Sequence, residues 1–170
     1  MRPERALFLA DLLREMREED NGFFPDEAWF EIHRNFALPY VEVALIRGRP
    51  EGGREVYLAR RPEGDPHWPD RPWHIPGGLW RVARKLEEAC ADVAQREVGV
   101  GIVSCQEVMT FKWPDHPYAN PISHVCLCEP SGPLTETADA RFFAIEHPPL
   151  PILIHHDKFL AACRSAPNDG

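Results

Sequence analysis

No apolar run in the 170 residues approaches the length of roughly 20 needed to span a bilayer, and the charged N-terminus has no signal-peptide h-region. A soluble cytoplasmic protein without a membrane partner is therefore expected. Cations are also scarce. Nineteen Lys and Arg face 27 Asp and Glu, a net charge of −8. That balance argues against DNA or RNA as a partner, because polyanions are held mainly by Lys and Arg. It leaves room for a nucleotide held through a metal ion. The cysteines number five, an odd count, and none forms a C-x-x-C pair. Cys90, Cys126 and Cys128 sit in apolar runs. They read as small buried residues in a reducing compartment, not as disulfides or a zinc site. There is no internal repeat, and the length fits one domain with a sizeable core.

The most organised stretch is Pro76 to Ile102. It opens on a Gly pair after a short apolar strand (Trp73, Ile75). A helix-period run follows, with Leu86, Ala89, Cys90, Val93 and Ala94, and it closes at Gly99. This predicts strand, tight loop, helix, Gly stop and a second strand. The helix start is poor, because Arg84 and Lys85 stand where Ser or Thr would cap, and their charges oppose the helix dipole; Glu87 and Glu88 partly offset this.

Around this unit the chain supplies strands. Glu4 to Glu18 carries a helical stripe (Leu9, Leu12, Leu13, Met16), stopped at Asn21-Gly22. Pro25-Asp26-Glu27 starts a short second helix with Trp29, Phe30 and Ile32 as burial candidates. This segment reads as an extra packing layer, with a dimerisation arm, and hence a homodimer, as the alternative. Tyr40–Ile46 and Glu55–Arg60 are strands around a hairpin loop. The Pro-rich loop 62–72 forms one wall of a site by its position, with Arg60 and Arg61 beside it. Gly101–Phe111 is a strand broken near Gln106-Glu107, and a second Pro-rich loop, Trp113–Pro121, follows. Ile122–Cys128 is a core strand, Glu129–Asp139 a polar loop, Ala140–Ile145 the last strand. His155–Ser165 is a C-terminal helix with Phe159, Leu160 and Cys163 inward. The His155-His156 pair reads as capping or surface.

The central stretch resembles the Nudix box, G-x5-E-x7-R-E-U-x-E-E-x-G-U with U apolar. With the first Gly on Gly78 the box fits without a gap: Gly78, Glu97, Gly99 and Val100 match, and Ala94 suits the first apolar position. Arg84 stands where the family has Glu and Asp92 where it has Arg. Val93 and Arg96 stand where it has two catalytic Glu residues. Asp139-Ala140-Arg141-Phe142-Phe143 is similar to the D-x-R-W-F strand late in many Nudix domains. The resemblance implies an α+β Nudix fold, a mixed β-sheet sandwiched between helices (α/β/α) with an extra N-terminal helical segment. Its divisions are 1–38 for the extension, 39–166 for the Nudix domain and 167–170 for a tail.

The resemblance also implies a site. The Gly77 carbonyl, Glu97 and Glu136 (a late-loop acid placed by position) would hold Mg²⁺ or Mn²⁺, weakened by Val93 and Arg96. Glu136 or His116 would be the general base beside Glu97, and Arg60, Arg61 or Arg96 would meet substrate phosphates. GDP-mannose mannosyl hydrolases are similar in lacking several box Glu residues, but they place a His where Thr137 stands, so their reaction is not carried over. The resemblance implies a Mg²⁺-dependent hydrolase of a nucleoside diphosphate linked to another moiety, a small-molecule partner. The alternative is a degenerate Nudix domain that binds a nucleotide or protein partner without turnover. Arg84 and Asp92 are the family's supporting ion pair with its signs exchanged; the rival pairing is Asp92 with Arg96.

Overall fold

A computed structural model describes residues 2–19, 26–50, 52–81 and 83–167. The Asn21-Gly22 stop, Pro25 and the burial of Met16 lie outside what is described. The elements run α1 (Pro3–Glu19), α2 (Asp26–Asn35), β1 (Ala37–Gly48), β2 (Arg54–Arg60), β3 (Trp73–His74), β4 (Gly77–Leu79), α3 (Leu86–Val98), β5 (Ile102–Lys112), β6 (Asn120–Pro130), β7 (Ala140–Ala144) and α4 (His156–Ser165).

β1 is the centre of a mixed seven-stranded sheet. It pairs in parallel with β6 from Ala37↔Asn120 to Leu45↔Cys128, and antiparallel with β2 and β4. The strand is apolar almost throughout because both of its faces are covered. Val41, Val43 and Leu45 pack with Ala89, Cys90, Val93 and Ala94 of α3. Ala44, on the alternate face, packs with Val56, Leu58, Val125 and with Phe159, Leu160 and Cys163 of α4. This is the helix–sheet–helix sandwich the sequence led us to expect.

Three local expectations change. The Gly pair lies in a strand, β4, rather than in a tight loop, because Gly77 and Gly78 pair with Glu42 and Val41. The C-terminal His pair is not on the surface: His155 holds the N-cap position of α4, without a side-chain capping bond, and both His155 and His156 are buried. The N-terminal helices do not form one packing layer. α2 is docked, with His33 buried and its ring bonded to the Tyr40 hydroxyl, and Asn120 of β6 donates to the His33 and Arg34 carbonyls. On α1, by contrast, Leu7, Phe8, Leu9, Leu12 and Leu13 are all exposed.

α3 ends as its sequence requires. Gly99 takes the left-handed conformation, φ 75°, and its N–H reaches back to the helix's last carbonyls. At the other end the Glu88 carboxylate accepts the Lys85 N–H at 2.9 Å, the Glu half of a capping box, while Lys85 itself makes no side-chain capping bond. The break in β5 is a register shift between Glu107 and Met109.

Candidate functional site

Two groups of residues meet at the Gly pair, one on each face of β4. On the α4 face lies a polar cavity. It is lined by Tyr40, Glu42, Arg61, His74, Gly77, His116 and neighbouring aromatics. At its floor is Glu42, which β1 aims to the same side as Ala44 and which is only 6% exposed. The Ser123 hydroxyl donates to Glu42 Oε1 at 2.7 Å, and Trp113 Nε1–H donates to the Ser123 oxygen at 2.9 Å. Oε2 lies against Gly77, where a Cβ would collide with it, so a larger residue there would have to displace the Glu42 carboxyl. Burial pushes the Glu42 carboxyl up to about 8, opposed by the Ser123 bond and the Arg61 charge. At neutral pH this carboxyl keeps its proton. Oε1 accepts from Ser123, and Oε2 is the oxygen that faces Gly77.

The histidines around Glu42 are neutral. Burial holds His74 and His116 down to about 4, and His156 well below the usual histidine range. Their tautomers follow from their partners. His74 Nδ1–H donates to the Ala59 carbonyl at 2.7 Å. His156 Nδ1 accepts the Ile75 N–H at 3.0 Å, which leaves its proton on Nε2. His116 Nδ1 is buried and has no partner. A polar atom in that state is completed by water or by a ligand. Arg61 supplies the cavity's cation, braced by two bonds to Asp65 Oδ2, at 2.9 and 2.6 Å. The edge of the site is closed by α2: Phe30 packs on His67 and Tyr118, and His33 on Tyr40.

On the α3 face, Gly78 adjoins Arg96 and Val93. The Arg96 guanidinium occupies the space beside Gly78 and bonds Glu97 Oε1 at 2.9 Å. Arg84 and Asp92 form the sign-exchanged pair at 3.0 Å, and Asp92 is not given to Arg96. Both partners are about half exposed, so a double-mutant cycle on Arg84→Ala and Asp92→Ala should return a coupling below about 1 kcal/mol.

The expected site residues therefore separate. Gly77, Arg61 and His116 share the cavity with Glu42. Arg96 and Glu97 are together on α3. Arg60 turns away, its guanidinium over the Trp73 ring and its Nη1 on the Arg71 carbonyl. Glu136 is held by Arg47 at 3.3 Å and by the Phe142 N–H at 3.3 Å. Arg47 lies five residues along β1 from Glu42, the partner of Gly77, which is roughly 16 Å of strand. Mg²⁺ requires several oxygen ligands converging on one point. With Val93 apolar, Glu97 paired to Arg96 and Glu136 anchored beside Arg47, the donor set as placed does not fit such an ion.

Comparison of the coordinates with solved structures returns one family repeatedly. A MutT NUDIX hydrolase from Burkholderia pseudomallei superposes with a TM-score of 0.62 at 17% identity, over 75% of this chain and 98% of that one. The NUDIX domain of Shewanella oneidensis NrtR, complexed with ADP ribose, superposes with a TM-score of 0.59 at 13% identity, over 86% and 95%. An Ap4A hydrolase from C. elegans gives 0.51 at 12%, over 65% and 83%. The fold is the Nudix fold. Neither a family model nor a curated protein matches the sequence. The stretch whose sequence resembles the Nudix box lies on β4 and α3.

Glu42, Ser123, Trp113, His74 and His156 are site residues that sequence reasoning missed. Glu42 did leave one signal. It is a lone acid in an apolar strand, in phase with core positions such as Ala44.

Proposed function

We propose that this chain is a Nudix-fold hydrolase of a nucleoside diphosphate linked to another moiety, with its acid–base chemistry in the cavity rather than on the box helix. The observation that carries this reading is Glu42, a buried carboxyl poised near 8 beside a cation in a concave site. Perturbed groups in such clefts are the usual sites of proton transfer. Hydrolysis needs a proton for the leaving oxygen and a counter-charge for the phosphates. The Glu42 carboxyl supplies the first and recovers its proton from the attacking water. Arg61 pairs with phosphate oxygens and stabilises charge that develops on them. His116 Nδ1 orients the water. The bound ADP ribose of the NrtR domain supports the ligand class.

One observation favours a second reading, binding without turnover: Arg96 beside Gly78 occupies space that the family gives to a carboxylate. The test is hydrolysis of a panel of nucleoside diphosphate compounds, with and without Mg²⁺ or Mn²⁺, followed by chromatography. Turnover that survives Glu97→Gln within about threefold and is lost in Glu42→Gln is the expected result. Turnover lost in Glu97→Gln would return the chemistry to the box. No turnover, with a compound still raising the melting temperature, would leave binding alone.

A further inference from the structure

We propose that Cys90, Cys105, Cys126 and Cys128 form a thiolate site for Zn²⁺ between the box helix and the sheet, on the face opposite the cavity. The sulfurs of Cys90, Cys105 and Cys126 lie within 4.8 Å of one another. They come from three elements, α3, β5 and β6. Cys128 is the cross-strand partner of Cys105 and shares the α3 layer with Cys90 and Cys126. The fifth cysteine, Cys163, lies in the other layer, under α4.

Dispersed buried cysteines need no explanation, since thiols pack as small apolar groups. Convergence of three thiols from three separate elements, with a fourth cysteine opposite one of them in the strand ladder, is different. A tetrahedral zinc site with Zn–S bonds of about 2.3 Å sets its sulfurs roughly 3.8 Å apart. The three close sulfurs need to contract by about 1 Å at most, within the reach of side-chain torsions. The ligands are all soft sulfur, with no carboxylate among them, which selects a thiophilic ion over Mg²⁺. An entry path exists as well: Cys105 is only half-buried and sits on β5, an edge strand of the sheet. Each thiol that ligates releases its proton to solvent, so binding consumes no other reactant. Sequence spacing hides this site. The pair on β6 is C-x-C, and its remaining ligands stand on a helix and a neighbouring strand. The result of metal binding is a cross-link that fixes α3, and with it Arg96 and Glu97, against β5 and β6.

The test uses the full chain, purified under reducing conditions and stripped with a chelator. Co²⁺ added to the apoprotein should give a thiolate-to-cobalt charge-transfer band together with the visible bands of tetrahedral Co²⁺, both removed by one equivalent of Zn²⁺. Zn²⁺ at a hundredfold excess over its Kd should raise the melting temperature by roughly 5–10 °C. Cys105→Ser, on the edge strand, should lose both the charge-transfer intensity and the shift, whereas Cys163→Ser should keep them. The proposal is overturned if the reduced wild-type protein gives no charge-transfer band and no Zn²⁺-dependent shift, or if Cys163→Ser abolishes them as Cys105→Ser does. The wild-type spectra decide the matter even where a cysteine variant fails to fold.

Discussion

Glu42→Gln should lower turnover by about a hundredfold to ten-thousandfold, the range of a lost general acid–base group. The substitution is isosteric. The Gln carbonyl still accepts from Ser123, and its amide faces Gly77 in place of Oε2, so the strand and the cavity persist. The wild-type rate should be level through neutral pH and fall as the pH passes about 8, where Glu42 loses its proton. The same group gives a second readout in stability. Its folded value is raised from an ordinary 4.5 to about 8. Below 4.5 both folded and unfolded states carry the proton, and Glu42 makes its full contribution. Between 4.5 and 8 the unfolded chain releases the proton while the folded chain holds it, so stability falls across that window. The Gln variant has no proton to release. Its melting temperature relative to wild type should therefore rise from pH 5 to pH 8.5, by an amount on the order of a few kcal/mol in free energy.

Arg61→Ala should weaken binding of a diphosphate-bearing ligand about 10-fold to 150-fold, the worth of a charge-assisted, two-bonded contact. Isothermal titration with ADP-ribose or a related compound measures it. Removing this cation also shifts its neighbours in known directions. Arg61 lowers Glu42, His74 and His116 alike. In the variant Glu42 should titrate higher still, and both histidines should move up from about 4. Arg60→Ala is the comparison. Its side chain stacks on Trp73 outside the cavity, and affinity should change by less than about threefold. Equal losses in both variants would mean that the ligand does not enter the cavity.

The contrast between these two arginines marks the limit of the sequence. Adjacent residues at the end of a strand point to opposite sides, so one of Arg60 and Arg61 was bound to miss the cavity, and only the packing of β2 decides which. Helix α3 was legible because its signals are local: apolar period, acidic first turn, Gly99 stop. The strands on either side of it along the chain were legible for the same reason, but their order in the sheet was not, because β1 pairs with the distant β6. His156 was not, because its partner, the Ile75 N–H, is 81 residues away and nothing near His156 announces it. Glu136 was placed by its distance from the last strand, but distance along the chain does not say that Arg47 would hold it. The stripe on α1 was correctly periodic, yet periodicity states only that a face is apolar. Leu9, Leu12 and Leu13 remain 42%, 40% and 46% exposed. The ion pair at Asp92 was half legible. The sequence left Asp92 two partners, Arg84 and Arg96, and the geometry shows the first, at 3.0 Å.

In the proposed mechanism Glu42 holds a proton at neutral pH on the cavity side of β1. Carbon-13 NMR of the side-chain carboxyls in glutamate-labelled protein measures this directly. One resonance should titrate near 8, stay in its protonated position at pH 6.5, and be missing from the spectrum of Glu42→Gln. If every glutamate of the folded protein titrates between about 4 and 5, Glu42 is an ordinary carboxylate and the cavity is not the seat of proton transfer.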